Sequence, residues 1–145
     1  MQGTFRRVSP AAFAERVGIP AGWVVVSYRW MPDKSQRRRS HGRWFKIESE
    51  KATVFRILRF SAQLSGSPKV GHGQLVVDWP AWLQLHGYED NVDPPLELKF
   101  TRVGWWAFPI LAISHPDPTI RLTGALGVLS FGLGVLSVVL AIVAL

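Results

Sequence analysis

Cysteine is missing from this chain altogether, which removes disulfides, thiolate zinc sites and cysteine nucleophiles at one stroke. Its absence gives no sign of an oxidising compartment and leans the expectation towards the cytoplasm. Paired histidines are missing too. His41, His72, His86 and His115 stand apart with no ligand spacing, and the base and carboxylate of His115-Pro116-Asp117 have no elbow serine beside them. The glycine-rich stretch Gly66–Gly73 holds Lys69 but lacks the Gly-Lys-Ser/Thr ending of a phosphate loop, and no helix clearly follows it. Asp78, Glu89, Asp90 and Asp93 supply carboxylates without a spacing that joins two of them in a cleft. An enzyme acting on a lipid-soluble substrate would need polar groups converging near Trp105, and none is evident. The chain is therefore expected to be non-enzymatic, with no metal and no cofactor.

Charge is absent from one long stretch. Leu122–Leu145 has twenty-four residues and no ionisable side chain, and fourteen of them are Leu, Val, Ile or Phe. At about 1.5 Å per residue a helix here would be about 36 Å long, enough to cross a hydrocarbon core of about 30 Å with some tilt. Each large apolar residue favours insertion by about 0.3–0.6 kcal/mol. The competing reading, a buried core helix, would need a domain large enough to surround a helix that is apolar on every face, and about 121 residues rarely suffice. The stretch reads as a membrane span. The N-terminal residues have no uninterrupted apolar run of the kind found in a signal peptide, so the span is expected to insert last, as a tail anchor. Lys99, Arg102 and Arg121 precede it and no cation follows, which places the N-terminal domain in the cytoplasm. The expected location is the cell membrane, with a single pass.

The rest divides into a basic β-rich domain over residues 1–103, an aromatic segment and proline corner over 104–118, and the span over 119–145. Ser9-Pro10 opens a two-turn helix, with Phe13 and Val17 inward and Gly18 as its stop. Trp23–Trp30, Arg43–Ile47, Thr53–Phe60, Gln74–Asp78 and Leu96–Thr101 read as strands, the last with clean alternation of Leu96, Leu98 and Phe100 against Glu97, Lys99 and Thr101. Trp79–Leu85 suggests one helical turn with Pro80 at its start. Five or six strands and little helix predict a mainly β fold: a small antiparallel β-sandwich or half-open barrel, a short interfacial helix and one C-terminal transmembrane helix.

Gly104–Ser114 is apolar and aromatic but too short to cross a bilayer. Trp105, Trp106 and Arg121 are expected at headgroup level, although the same aromatics would equally close the domain core. Within the span, Gly127, Ser130, Gly134, Ser137, Ala141 and Ala144 recur at intervals of three and four, a stripe of small residues on one face. Such a stripe lets another helix approach, with Ser130 and Ser137 available for interhelical hydrogen bonds. The partner would be a second copy or another membrane subunit, and chance composition gives the same pattern.

The cations are concentrated. Residues 29–59 alone carry a charge of +7, the net charge of the whole chain, with the densest part at Lys34, Arg37, Arg38, Arg39 and Arg43. For a membrane-bound domain the nearest polyanion is the anionic lipid surface, where each Lys or Arg gains about 1 kcal/mol. A nucleic acid is the less favoured partner: the arginines would neutralise phosphates and Trp44 or Phe45 stack on bases, but neighbouring strand residues point to opposite faces, so one of the two belongs to the core. An acidic protein or plain solvation is also compatible. The expected role is assembly or regulation of a membrane complex as an accessory subunit, with a membrane tether for nucleic acid as the alternative.

Overall fold

Six strands close on themselves as a barrel in the computed structural model, which describes residues 1–13, 20, 22–113, 115 and 117–144, less the side chains of Ala12, Trp105 and Phe108. The strands are β1 (Gln2–Val8), β2 (Trp23–Ser27), β3 (Trp44–Glu48), β4 (Thr53–Ser61), β5 (His72–Val76) and β6 (Leu96–Arg102). Their order around the barrel is β1-β5-β2-β4-β3-β6. Short helices α1 (Pro10–Phe13), α2 (Lys34–Ser40) and α3 (Trp79–Leu85) interrupt them.

The chain is mainly β, but the expected antiparallel sandwich or half-open barrel is replaced by a closed barrel of mixed pairing. β1 runs parallel to β5 and β2 parallel to β4, while the other four pairings are antiparallel. Two local features explain the difference. Val24, Val25 and Val26 are all buried because β2 is covered on both faces: Val24 and Val26 lie in the barrel core, and Val25 packs outside with Leu64 and Val76. A continuous apolar run of this kind belongs to a strand inside a layered structure and not to an open antiparallel edge. The closing strand is β1, which sequence pattern alone passes over, since only Phe5 of its seven residues is buried. It pairs β5 on one side and β6 on the other, and so removes both free edges.

The core is filled by inward side chains from every strand, including Phe5, Val24, Ile47, Leu58, Leu75, Leu98 and Phe100. A barrel of this size has room for side chains and no open lumen. Trp82 and Leu85 of α3 join that core. Asp78 holds α3 in register by accepting the Ala81 amide at 3.2 Å, and Pro80 occupies its first turn. Of the expected N-terminal helix, Pro10–Phe13 is present, with Phe13 partly buried against Val25, Leu64 and Val76; Val17 and Gly18 lie outside the described residues. The strand expected to reach Trp30 ends at Ser27, where the serine hydroxyl accepts the Arg29 amide and turns the chain into a 3₁₀ helix over Tyr28–Trp30.

The chain forms two compact units, Met1–Val103 and Gly104–Leu145. The second begins with a 3₁₀ turn, Trp105–Ala107, continues as α4 (Phe108–Ile113) and ends in α5 (Pro118–Val143). Asp117 caps α5 by accepting the Thr119 amide at 2.8 Å, and Pro118 takes the first helical position. No residue of α5 is buried.

Candidate functional site

The arginine-rich stretch between β2 and β3 is a helix. Asp33 caps α2, one carboxylate oxygen accepting the Ser35 amide at 2.9 Å and the other the Ser35 hydroxyl at 3.0 Å. Those bonds, the amide first, hold the Asp33 carboxyl below the usual carboxylate range. Arg37, Arg38 and Arg39 fall in the last turn, where cations complement the helix dipole, and Gly42 with φ of 72° ends the excursion.

The helix separates its cations by task. Arg37 is half-buried: its Nη1 donates to the carbonyls of Met31 at 2.9 Å and Pro32 at 2.8 Å, and its guanidinium lies 5.6 Å from the Tyr28 ring. It fastens α2 to the preceding turn. Lys34, Arg38, Arg39 and Arg43 are exposed, and none forms an ion pair among the described residues. Lys34 and Arg38 are four residues apart and share a face, and Arg39 lies beside them. Together with Asp33 and Ser35 they line an open recess of about 510 Å³. Four cations thus gather on one short helix and its exit turn, beside the Asp33 carboxylate, on which the Arg39 charge acts.

The barrel adds a second cluster that sequence reasoning did not single out. Trp23 on β2 lies opposite Ile57 on β4, and Ile57 lies opposite Trp44 on β3, so the three share one row of the sheet. The Arg59 guanidinium sits 5.8 Å from the Trp23 ring, and His41, the residue closing α2, meets that ring edge-on at 6.4 Å. This cation-and-aromatic cluster depends on the parallel pairing of β2 with β4, which is why residue spacing does not announce it. Phe45, the other aromatic considered for base stacking, is buried in the core.

Other candidates are committed elsewhere. Around Gly66–Gly73 the amides of Val70 and Gly71 both donate to the Ser67 carbonyl, so the loop does not offer a cradle of free amides. Asp78 is held by Arg56, and Glu89 by Lys51. His86 is buried at the end of α3, while His72 is exposed at the start of β5. Among the described residues no group of three His, Asp or Glu side chains is gathered in one place.

In the second unit, α5 is long and apolar enough to cross a membrane, and all its residues are exposed except Gly124, which is partly covered. Arg121 is exposed in its second turn, and Trp106 is exposed before α4; the Trp105 side chain lies outside the described residues. Nothing lies within 4 Å of a Cβ added at Gly127 or Gly134, so that side of α5 is open. Ser130, Ala141 and Ala144 are exposed as well. Ser137 uses its hydroxyl within the helix, donating to the Leu133 carbonyl at 2.9 Å. Compared with known proteins, the chain matches no family model, and no curated protein is significantly similar to it.

Proposed function

We propose that this chain is a non-enzymatic membrane protein anchored by α5, with the basic barrel on the cytoplasmic side, and that it serves as an assembly or accessory subunit. The observation that carries this reading is the exposure of α5: twenty-six residues, none buried, in a segment that is uncharged beyond Arg121 and partly covered only at Gly124. In water such a surface would be an aggregation hazard far larger than a monomer tolerates, whereas in a bilayer it is matched to its solvent. Arg121 then stands at the headgroup level on the cytoplasmic side, in keeping with the positive-inside rule. The open side at Gly127 and Gly134 supports close approach of a partner helix, either a second copy or another membrane subunit. The unpaired Lys34, Arg38, Arg39 and Arg43 support contact of the barrel with anionic headgroups.

The test is made on the full chain in membranes. Retention after an alkaline carbonate wash is expected, with loss when Val135 and Val138 are both replaced by Arg, since each charge near a span centre costs about 2.5–3.5 kcal/mol. Extraction of the unaltered chain by the wash would reject the anchor. A Lys34→Cys variant should react with an impermeant maleimide only after the cells are opened; labelling of intact cells would reverse the topology.

Nucleic acid is the second reading, supported by the Arg59–Trp23–His41 cluster beside α2. It requires salt-sensitive binding of single-stranded RNA or DNA by the vesicle-embedded chain, lost on neutralising Arg38, Arg39 and Arg43.

A further inference from the structure

The segment before the span is attached to it. Ala112 of α4 lies so close to α5 that a Cβ added at Gly124 would stand 2.6 Å from the Ala112 Cβ and 3.0 Å from its carbonyl oxygen. Only glycine allows that approach. Leu111 and Ala112 are buried, whereas Ile110 and Ile113 are exposed, at 54% and 47%. The six residues of α4 thus set Ala112 against a neighbouring helix and leave Ile110 and Ile113 outward. The inner contact falls three residues beyond Arg121, or about 4.5 Å further along the helix axis at 1.5 Å per residue. The polar corner of His115 and Asp117 lies on the other side of Arg121 in the sequence, and Asp117 caps α5 there.

Taking α5 as a membrane span, we propose that α4 is a single-leaflet insertion, held against the span at Gly124, whose outward residues Ile110 and Ile113 contact the acyl chains nearest the headgroups. The occupant follows from continuity. Gly124 belongs to the apolar part of α5, so whatever surrounds α5 at that level also meets the exposed isoleucines packed beside it. A depth of a few ångströms beyond Arg121 corresponds to the headgroup and acyl boundary, where apolar faces of interfacial helices reside at about 5–10 Å. Trp106, 70% exposed in the turn before α4, belongs to the same zone by its amphipathic ring. The hairpin would therefore occupy more area in one leaflet than in the other, where α5 stands alone.

The chain lacks cysteine, so single probes can be placed without altering it further. The full chain carrying Ile110→Cys, Ile113→Cys, Val135→Cys or Lys34→Cys would be labelled with a bimane fluorophore and reconstituted in phosphatidylcholine vesicles. These vesicles would contain lipids brominated either near the glycerol end or near the methyl end of the chains. Ile110 and Ile113 are surface residues, so these substitutions leave the buried contacts intact. The expected result is quenching at Ile110 and Ile113 chiefly by shallow bromines, at Val135 chiefly by deep bromines, and at Lys34 by neither. Gly124→Leu, which removes room for Ala112, should diminish the quenching at Ile113 while leaving Val135 unchanged. Quenching at Val135 but not at Ile110 or Ile113 would overturn this proposal and leave the span intact. Absence of quenching at Val135 would overturn both. Crosslinking of Ile113→Cys to another protein in native membranes, without acyl-chain quenching in vesicles, would assign this face to a protein partner and overturn the lipid contact.

Discussion

Arg56 donates from Nε to one carboxylate oxygen of Asp78 at 2.7 Å and from Nη2 to the other at 2.9 Å, a fork-to-fork pair set on the inner side of β4. Val54 and Leu58 flank Arg56 on the same face, and all three are buried. The third nitrogen, Nη1, donates to the Phe55 carbonyl at 2.8 Å. Asp78 in turn caps α3 through the Ala81 amide, so one carboxylate joins a barrel strand to the helix that packs against the core.

Removing that carboxylate leaves Arg56 buried and unpaired. Asp78→Ala is expected to lower the unfolding free energy of the full chain in detergent by about 3 kcal/mol, the lower end of the range for breaking a buried pair, because Asp78 is partly exposed. Replacing both residues by apolar ones of similar size, Arg56→Met with Asp78→Leu, should cost less than Asp78→Ala alone, the cap being the remaining loss. Urea titrations of the three variants check the order; a double variant less stable than Asp78→Ala would contradict it.

The same pair sets an acid limit. Burial alone would raise the Asp78 pKa, but the hydrogen bonds and charge of Arg56 outweigh it and hold the carboxyl below its ordinary value. A group whose pKa is depressed by folding contributes stability above its unfolded value, about 3.9, and that contribution is lost as the pH falls through the folded value. Thermal midpoints should therefore drop below about pH 4, and Asp78→Asn should flatten this part of the profile.

His86 acts in a higher window. It is buried, stacks edge-on against Trp82 at 4.8 Å, and its Nε2 has no hydrogen-bond partner among the described residues. Burial first, and then the nearby Lys51 charge, lower its pKa, with Glu89 opposing. The unfolded chain therefore binds a proton that the folded chain resists, and stability declines as the pH falls below the ordinary histidine value of about 6.5. His86→Leu should abolish the dependence that sets in as the pH falls below about 6.5 while leaving the carboxylate limit in place. An unchanged slope below that pH would show that another group titrates there.

Trp30 lies against two glycines. A Cβ at Gly3 would stand 2.3 Å from its ring, and one at Gly73 would stand 2.7 Å from Nε1, an atom with no hydrogen-bond partner among the described residues. Gly73→Ala is expected to destabilise by about 1–3 kcal/mol through overpacking. Trp30→Leu removes the indole atoms that an alanine at 73 would strike, so the double variant should be more stable than the sum of the single effects by about 0.5–3 kcal/mol. Additive effects would mean that the clash is with the backbone of Ser65 and not with the indole.

Much of this was legible in the residues and some was not. The five strands read from β-branched and alternating runs correspond to β2 through β6, because those runs reflect burial on one or both faces, and α3 was announced by Asp78 and Pro80. The barrel's closure was hidden because β1 carries one buried residue among polar ones. α2 was hidden because arginines suit a helix as well as a solvated loop, and its signal was the Asp33 cap before Lys34-Ser35-Gln36. The basic cluster was visible as composition, but Arg37 could not be told from its neighbours without the Met31 and Pro32 carbonyls it binds.

That distinction predicts unequal effects on α2. With bimane on Gln36→Cys, vesicles containing phosphatidylserine should shield the probe from an aqueous quencher at low salt and release it at high salt. Neutralising Arg38, Arg39 and Arg43 to Gln should weaken the shielded state by about 3 kcal/mol, on the order of a hundredfold in the equilibrium. Arg37→Gln alone should instead lower the thermal midpoint, since its loss leaves two backbone carbonyls without their donor. Shielding that is insensitive to both salt and the triple variant would reject the lipid contact.

The final prediction concerns α5. Single cysteines from Gly127 to Ala144 would be crosslinked in intact membranes. A seam with a period near 3.5 residues should give maxima at Gly127, Ser130, Gly134, Ser137, Ala141 and Ala144, and minima at Leu129, Leu136 and Val139. Crosslinks between copies at these maxima would identify a homo-oligomer built on the span, and crosslinks to a different protein would identify an accessory subunit together with its partner. Uniform reactivity along the helix would mean that the small residues are only composition and that α5 serves as an anchor. Because Ser137 satisfies its hydroxyl on the Leu133 carbonyl, Ser137→Ala should leave the pattern intact. Ser137→Leu should abolish it by denying the close approach that the open sides of Gly127 and Gly134 allow.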